Sequence, residues 1–259
     1  ANDVWTTNKA DLNVASGAIF DGAEGSSFAN GGIFVDTLSG SGTIKIGYTL
    51  GGPYGNKITF GVDNGSSSFA GVLANSTTDG NFVKTGTGTQ TLTGTSTATG
   101  SMTINNGTLA LGHATNTLAN TMAVTVDGAS TILSIAGNSD TVGAVTLKNG
   151  ASITGSGGTL TGASYAVESG SITAKLGGGV NLTKTTAGTV TLSGANTYSG
   201  STTVSQGRLI VGSTSNTNAT SIASGATLEL NKASGTTSFG VTTNFTGAVV
   251  PGYEGGECL

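Results

Sequence analysis

The sequence predicts an all-β protein, a right-handed parallel β-solenoid with coils of about 20 residues and differently built, aromatic-richer ends. Two observations predict it: a long segment that occurs twice, and a shorter pattern that recurs inside it. The segment 82–112 occurs again 100 residues later as 182–212, with 14 of 31 positions identical and no gap. A long internal repeat of this kind indicates an array of similar units.

The shorter pattern is a turn followed by a strand, roughly apolar-x-x-Gly-x-apolar, as in Ile104-Asn-Asn-Gly-Thr-Leu109. Its copies begin at residues 85, 104, 126, 147, 167, 185, 204 and 222, so that the mean step is 137/7, or about 20 residues. The copies at 85 and 185 begin with threonine instead of an apolar residue. Five such steps account for the displacement of the long repeat.

Each unit contains short stretches in which apolar and hydroxyl residues alternate, such as Thr189-Val-Thr-Leu-Ser193. Alternation bounded by Gly and Asn is typical of half-buried strands, and Asn-Gly pairs such as Asn149-Gly150 supply the positive φ angles of tight turns. Units this small bury their apolar face only by stacking on one another. A β-sandwich would also give short strands, but it has no reason to repeat at a constant step, so the solenoid is favoured.

The composition limits the class of protein. Glycine contributes 45 of 259 residues, charged residues only 8%, and the formal net charge is −4 with a single arginine. Nucleic acid is therefore not expected as a partner, since it requires clustered Lys and Arg. No apolar run is long enough for a transmembrane helix. The chain begins at Ala1, as if a signal peptide had been removed, and we expect a secreted protein at a bacterial cell surface.

Aromatic residues are concentrated towards the two ends of the chain: nine of 14 lie within residues 1–82. The terminal coils of a solenoid expose unpaired strand edges and must be built differently. We therefore divide the chain into an N-terminal β-rich cap or first coils (1–81), a repeat solenoid (82–238) and a C-terminal cap or contact segment (239–259).

The long repeat resembles a known family. The segment from Leu182 to Leu209, LTKTTAGTVTLSGANTYSGSTTVSQGRL, is similar to the autotransporter-associated β-strand repeat, also called the passenger-associated transport repeat, and 82–112 is a more degenerate copy. The two copies cover about a quarter of the chain. The resemblance implies a secreted β-helical passenger of a large bacterial surface protein, commonly an adhesin or a structural stalk.

Residues for catalysis are scarce, and we expect no enzyme activity, cofactor or metal site. His113 is the only histidine and lies just past a predicted strand, while Cys258 is the only cysteine. The nearest acid groupings are Asp21 with Glu24 and Asp36 with Asp63. A polysaccharide-cleaving enzyme would need two carboxylates about 5–10 Å apart, and solvated turn acids are the simpler interpretation.

The predicted function is structural: an extracellular solenoid that serves as a passenger, stalk, adhesin or fibre subunit. We expect copies to associate end to end into an oligomer or filament, because unpaired terminal strands pair readily with other strands. The candidate contact residues are Val4, Trp5, Phe245, Val249 and Val250. The alternative is a module that binds glycans or host surfaces.

For that alternative, Tyr48, Tyr54 and Tyr198 are the candidate residues for stacking on a sugar. A carbohydrate-active enzyme and an ice-binding protein are less favoured. Ice binding would use the threonines at alternate positions from Thr85 to Thr99, but the second copy of the repeat loses half of them.

Overall fold

The computed structural model describes residues 8–22, 32–47, 57–212, 218–230 and 248–251, and these contain strands and turns but no helix. The strands of the first third of the chain are β1 (Leu12–Val14), β2 (Ile19–Asp21), β3 (Ile33–Val35), β4 (Leu38–Gly40), β5 (Thr43–Ile46), β6 (Lys57–Phe60), β7 (Ser67–Phe69), β8 (Val72–Asn75) and β9 (Asn81–Lys84). The central strands are β10 (Thr89–Leu92), β11 (Ser101–Ile104), β12 (Gly107–Leu111), β13 (Ala123–Asp127), β14 (Thr131–Ala136), β15 (Asp140–Thr141), β16 (Ala144–Lys148), β17 (Ala151–Gly155), β18 (Thr159–Thr161) and β19 (Ser164–Val167). The last strands are β20 (Gly170–Ile172), β21 (Lys175–Gly177), β22 (Leu182–Lys184), β23 (Thr189–Leu192), β24 (Ser201–Val204), β25 (Arg208–Val211), β26 (Asn218–Ile222), β27 (Thr227–Leu230) and β28 (Ala248–Pro251).

These strands pair in parallel to form the faces of a β-solenoid, which confirms the predicted fold class. One face is a 12-stranded sheet in the order β1-β4-β7-β10-β12-β14-β17-β20-β23-β25-β27-β28, and a second is a ten-stranded sheet from β26 to β3. Two three-stranded sheets, β2-β5-β8 and β15-β18-β21, form a third face. The chain therefore turns from face to face and returns to the first sheet one strand further along.

The length of a coil can be read from the residues that pair in the 12-stranded sheet. Leu109, Leu133, Ile153, Ile172, Leu192 and Val211 lie in one buried row, so that successive coils contain 24, 20, 19, 20 and 19 residues. The predicted step of about 20 residues is confirmed here. Coils are longer near the N-terminus, where Leu12 pairs with Leu38 and Gly40 pairs with Phe69.

A second buried row runs through the ten-stranded sheet. Its members are Phe60, Lys84, Ile104, Val126, Leu147, Val167, Lys184, Val204 and Ile222. Six of them are the apolar residues that begin copies of the short pattern. The two copies of the pattern that were predicted to begin at Thr85 and Thr185 begin one residue earlier, because the residues in this row are Lys84 and Lys184.

The core is a single cluster of buried apolar side chains that the two large sheets and the third face enclose. Before residue 82, strands β1, β3, β4, β6 and β7 lie in the same two large sheets as later strands, as first coils would, whereas β2, β5 and β8 form a sheet of their own. The domain boundaries at 82 and 239 stay a prediction.

Candidate functional site: two buried lysines in the repeated segments

The two copies of the long repeat fold in the same way. Strands β9 to β12 of the first copy correspond to β22 to β25 of the second, and each copy crosses the two large sheets twice. On the third face both copies pass through residues that form no strand, 93–100 and 193–200. Sequence identity between the copies therefore reflects the same local structure.

Each copy places one lysine inside the core. Lys84 and Lys184 have no solvent exposure, and each lies between two apolar residues of the same row: Phe60 and Ile104 beside Lys84, Val167 and Val204 beside Lys184. A buried ammonium is costly unless hydrogen bonds satisfy it. Its position inside an apolar row therefore requires an explanation from its contacts.

Backbone carbonyls supply those contacts for Lys84. Its Nζ donates to Thr85 O at 2.6 Å, to Gly86 O at 2.9 Å and to Asn106 O at 3.2 Å. The first two carbonyls belong to the turn that follows β9, and the third belongs to the corresponding turn one coil later. The ammonium thus joins two stacked turns, which we call the lysine clamp.

The second copy repeats the lysine clamp. Lys184 Nζ donates to Thr186 O and, at 3.2 Å, to Gln206 O, which is the counterpart of Asn106 O. Burial lowers the pKa of both lysines, that of Lys84 to about 8, and the charges of Asp36 and Glu168 oppose the shift at Lys84 and Lys184 respectively. Because each Nζ is buried and bonded to the carbonyls of its own turns, the arrangement fixes the turns and does not face a substrate.

The turns that the clamps join need glycine for two separate reasons. Gly107 and Gly207 have φ angles of 64° and 68°, which side-chain-bearing residues rarely adopt. A Cβ at either position would also lie 2.4 Å from a carbonyl oxygen of the preceding coil, Gly86 O or Gly188 O. Glycines retained between the copies therefore mark positions where backbones of stacked coils come close together.

The family comparison agrees with this geometry. A family model described as the passenger-associated transport repeat matches residues 82–111 and 182–211, the two segments that contain the clamps. Both segments are similar to the passenger-associated transport repeat, and we call them the two transport repeats. Comparisons with curated proteins and with solved structures gave no significant match.

The second transport repeat contains Tyr198, which we predicted as a residue for stacking on a glycan. The structure contradicts this role, because Tyr198 is fully buried and no face of its ring is available to a ligand. Its hydroxyl lies 2.7 Å from Thr202 Oγ1, and its ring lies 6.0 Å from that of Tyr165, centroid to centroid. Tyr198 thus belongs to the core. The other two stacking candidates, Tyr48 and Tyr54, lie outside the described residues, and their role stays a prediction.

The first transport repeat contains a buried polar residue that sequence reasoning missed. Gln90 is 2% exposed, and its side-chain amide reaches the backbone of Leu38, two strands away across the 12-stranded sheet. Leu38 N donates to Gln90 Oε1 at 3.0 Å, Gln90 Nε2 donates to Leu38 O at 2.9 Å, and Ser67 Oγ donates to Oε1 at 2.8 Å. The second repeat has Val190 at the equivalent position, so the difference between the copies was the only available signal.

The third face contains a buried carboxyl group, Asp140, which is 3% exposed. Its Oδ2 accepts a hydrogen bond from Leu118 N at 3.0 Å, whereas Oδ1 has no hydrogen-bond partner. Burial raises the pKa of Asp140 to about 6, against the opposing effects of backbone N–H donors and of the charge on His113. Asp140 thus holds the segment that crosses this face between β12 and β13.

The residues predicted for self-association lie at the ends of the chain. Val249 and Val250 are part of β28, the last strand of the 12-stranded sheet, and pair with Leu228 and Glu229. Val4, Trp5 and Phe245 lie outside the described residues. Contact with a second copy stays a prediction for all five.

The weak catalytic candidates are placed as follows. His113 Nδ1 lies within hydrogen-bond reach of the Thr115 backbone. Asp36 Oδ1 accepts hydrogen bonds from the backbone N–H of Asp63 and of Gly65 at 2.7 and 3.0 Å, so it stabilises a turn. Glu24 and Cys258 lie outside the described residues. In the ranges that the structure describes, no group of three or more His, Cys, Asp or Glu side chains could hold a metal, and no helix could span a membrane.

Proposed function

We propose that this chain is a non-enzymatic structural segment of a bacterial surface protein, used outside the cell as a passenger, stalk, adhesin or fibre subunit. Two transport repeats within an uninterrupted parallel ladder of 12 strands are the observation that carries the proposal. Transport repeats are associated with the secreted passengers of autotransporters. A chain of this kind would act through its shape and stiffness rather than through a reacting group.

The cross-coil contacts support a mechanical role. Parallel ladders pair the backbone of each coil with the next. The lysine clamps and Asp36 add side-chain bonds between coils at the turns, and the Gln90 amide adds one within the 12-stranded sheet. The few ion pairs among the described residues include Lys148 with Asp127 at 3.1 Å. Because hydrogen bonds and apolar burial stabilise the rod, its stability would depend little on ionic strength.

We further propose that copies associate end to end, with the terminal coil of one copy continuing the ladder of the next. In the described part of the chain, β1 and β28 are the outermost strands of the 12-stranded sheet. Ile19, in the outermost strand β2 of the third face, is 60% exposed and is the only large exposed hydrophobic residue among those described. An exposed apolar residue on an outer strand favours pairing with a further strand.

The proposed contact is between different surfaces, the first coil of one copy and the last coil of another, so it would give a filament if the rotation does not close into a ring. Val249 and Val250 would contribute from one end, and Val4 and Trp5 from the other. Phe245 would cover the junction. A second copy of the same chain is thus the expected partner.

Negative-stain electron microscopy and analytical ultracentrifugation of the full chain test the association. We expect filaments or concentration-dependent oligomers, and their loss when residues 240–259 are deleted or when Ile19→Lys places a charge at the first coil. The matched control is Ser16→Lys, a charge in an exposed turn nearby. A full-length chain that stays monomeric at high concentration, or an Ile19→Lys variant that assembles as well as the parent, would show the association proposal to be wrong.

A further inference from the structure

Three Asn-Gly pairs occur among the described residues: Asn64–Gly65, Asn106–Gly107 and Asn149–Gly150. Asn-Gly is chemically special because glycine has no side chain to block its own nitrogen, which can attack the side-chain amide carbon of the preceding asparagine. The reaction requires that nitrogen and carbon approach one another. The three pairs differ in what the glycine nitrogen is bonded to.

In the first pair the glycine nitrogen is held by another coil. Gly65 N donates to Asp36 Oδ1 at 3.0 Å, and the Asn64 side chain points to the following coil, where its Oδ1 accepts a hydrogen bond from Thr87 N at 2.8 Å. Both reacting groups thus have partners that turn them away from each other.

The third pair is held in a similar way. Gly150 N donates to Ser169 Oγ at 3.0 Å, and Asn149 Nδ2 donates to Asp127 Oδ1 at 2.6 Å. The asparagine side chain is bonded to the coil before it and the glycine nitrogen to the coil after it. Rotation of the amide towards the glycine nitrogen would break the bond to Asp127.

The middle pair differs from both. Gly107 N donates to Oδ1 of its own neighbour, Asn106, at 2.8 Å, so the side-chain amide already lies against the nitrogen that would attack it. Asn106 is half-buried in its turn, so part of the residue is exposed to solvent. This contact holds the side-chain amide next to the nitrogen, and such proximity favours an intramolecular reaction.

We propose that Asn106 is a site of spontaneous deamidation in the folded protein. The Gly107 nitrogen loses its proton and bonds to Asn106 Cγ, and the Cγ–Nδ2 bond breaks with release of ammonia, leaving a succinimide ring. Water then opens the ring at either carbonyl, which gives an aspartate or an isoaspartyl linkage. No oxidant or enzyme is needed, and the turn gains one negative charge.

The modification would act on the lysine clamp of the first transport repeat. Asn106 O accepts a hydrogen bond from Lys84 Nζ, and an isoaspartyl linkage lengthens the backbone at this residue and converts that carbonyl into part of a free α-carboxylate. The second repeat provides an internal comparison, because Gln206 occupies the same turn and its carbonyl accepts from Lys184 Nζ. Glutamine has a longer side chain and would form a less favourable ring. The turn of the first lysine clamp would therefore be deamidated faster than the turn of the second.

Peptide mapping by mass spectrometry, after incubation of the folded full chain at mildly alkaline pH, tests the proposal. We expect acid at residue 106 to accumulate several-fold faster than at 64 or 149, with both aspartate and isoaspartate among the products. In denaturant the three sites should react at similar rates, because each has the same Asn-Gly sequence. Because the three sites are compared within one molecule, the test does not depend on whether a variant folds.

Two variants sharpen the test. Asn106→Gln, the residue of the second repeat, should abolish the gain of acid in this turn without altering the circular dichroism spectrum. Asp36→Ala frees Gly65 N and should speed deamidation at Asn64 in the folded state. Folded protein in which 106 reacts no faster than 64 and 149 would overturn the proposal, whatever the outcome of the association experiments.

Discussion

The side-chain amide of Gln90 hydrogen-bonds both the N–H and the carbonyl of Leu38, 52 residues earlier in the chain. The bond pair has the pattern of one backbone pairing with another. It lies where the backbone pairing between neighbouring strands is sparse, since β4 and β7 share a single register pair, Gly40 with Phe69. A side chain from β10 thus replaces the missing contact between the strands of two coils.

Gln90→Val, the residue of the second repeat, should destabilise the N-terminal coils, because the buried Leu38 N–H loses its partner at about 1–3 kcal/mol, whereas Leu38 O keeps a hydrogen bond from Ser67 Oγ at 2.7 Å. Hydrogen exchange measured by mass spectrometry should show faster exchange at Leu38. The matched control is Thr91→Val, one residue further along the same strand with its side chain outside the core. Unchanged exchange at Leu38 in Gln90→Val would show that the amide contact does not stabilise these coils.

Because Lys84 is buried in the lysine clamp, we expect the free energy of unfolding to rise at alkaline pH. The pKa of Lys84 is about 8 in the folded state and 10.5 ordinarily, so between these values the unfolded chain binds more protons and unfolding becomes less favourable as pH rises. The gain is at most roughly 3 kcal/mol between pH 8 and 10.5, at 1.36 kcal/mol per pKa unit. Denaturant unfolding at several pH values should show a smaller rise for Lys84→Met than for the parent.

Lys148→Met is the control for that experiment, because Lys148 is half-exposed and paired with Asp127 on the outside of the ten-stranded sheet. Its alkaline stability profile should keep the slope of the parent. An identical slope in parent and Lys84→Met would contradict the lowered pKa of the buried lysine.

Because Asp140 is buried, we expect the free energy of unfolding to fall as pH rises through the acid range. Its pKa is about 6 in the folded state and 3.8 ordinarily, so the folded state binds the additional proton and stability falls as pH rises from about 4 to 6. The loss is roughly 3 kcal/mol at 1.36 kcal/mol per unit. Asp140→Asn should remove this component from the pH profile of unfolding, whereas Asp127→Asn, on the outer surface, should leave it in place.

A deletion tests whether the two transport repeats are interchangeable. Removing residues 85–184 joins Lys84 to Thr185 and places the second repeat where the first one stood, five strands earlier in the 12-stranded sheet. We expect a folded, shorter solenoid by circular dichroism. It lacks Gln90, so adding Val190→Gln should restore the contact with Leu38 and raise the midpoint of thermal unfolding. A deletion variant that fails to fold even with Val190→Gln would show that the repeats are not equivalent.

Much of the fold follows from the sequence, and the reasons are physical. Residues such as Ile104, Val126 and Leu147 occupy one buried row, because stacking requires an apolar residue at the corresponding position of each coil. The positive φ angles of Asn149 and Gly107 also follow from the need for tight turns.

The polar interior does not follow from the same pattern. Lys84, Gln90 and Asp140 are charged or polar, and hydrophobic periodicity places such residues outside. Each is buried because its side chain finds backbone partners in another coil, as Gln90 does with Leu38. Tyr198 was misplaced for the related reason that its hydroxyl finds Thr202 within the core. For the lysines, their recurrence at 84 and 184 in both copies was the available signal.

The spacing of the two transport repeats defines a fixed unit of solenoid length. β23 lies five strand-to-strand steps beyond β10 in the same sheet, which at the ordinary strand spacing is about 24 Å of rod for 100 residues. Duplication or loss of such a block in the gene would change the length of the solenoid in fixed increments. Its ends, and whatever they contact, would remain the same.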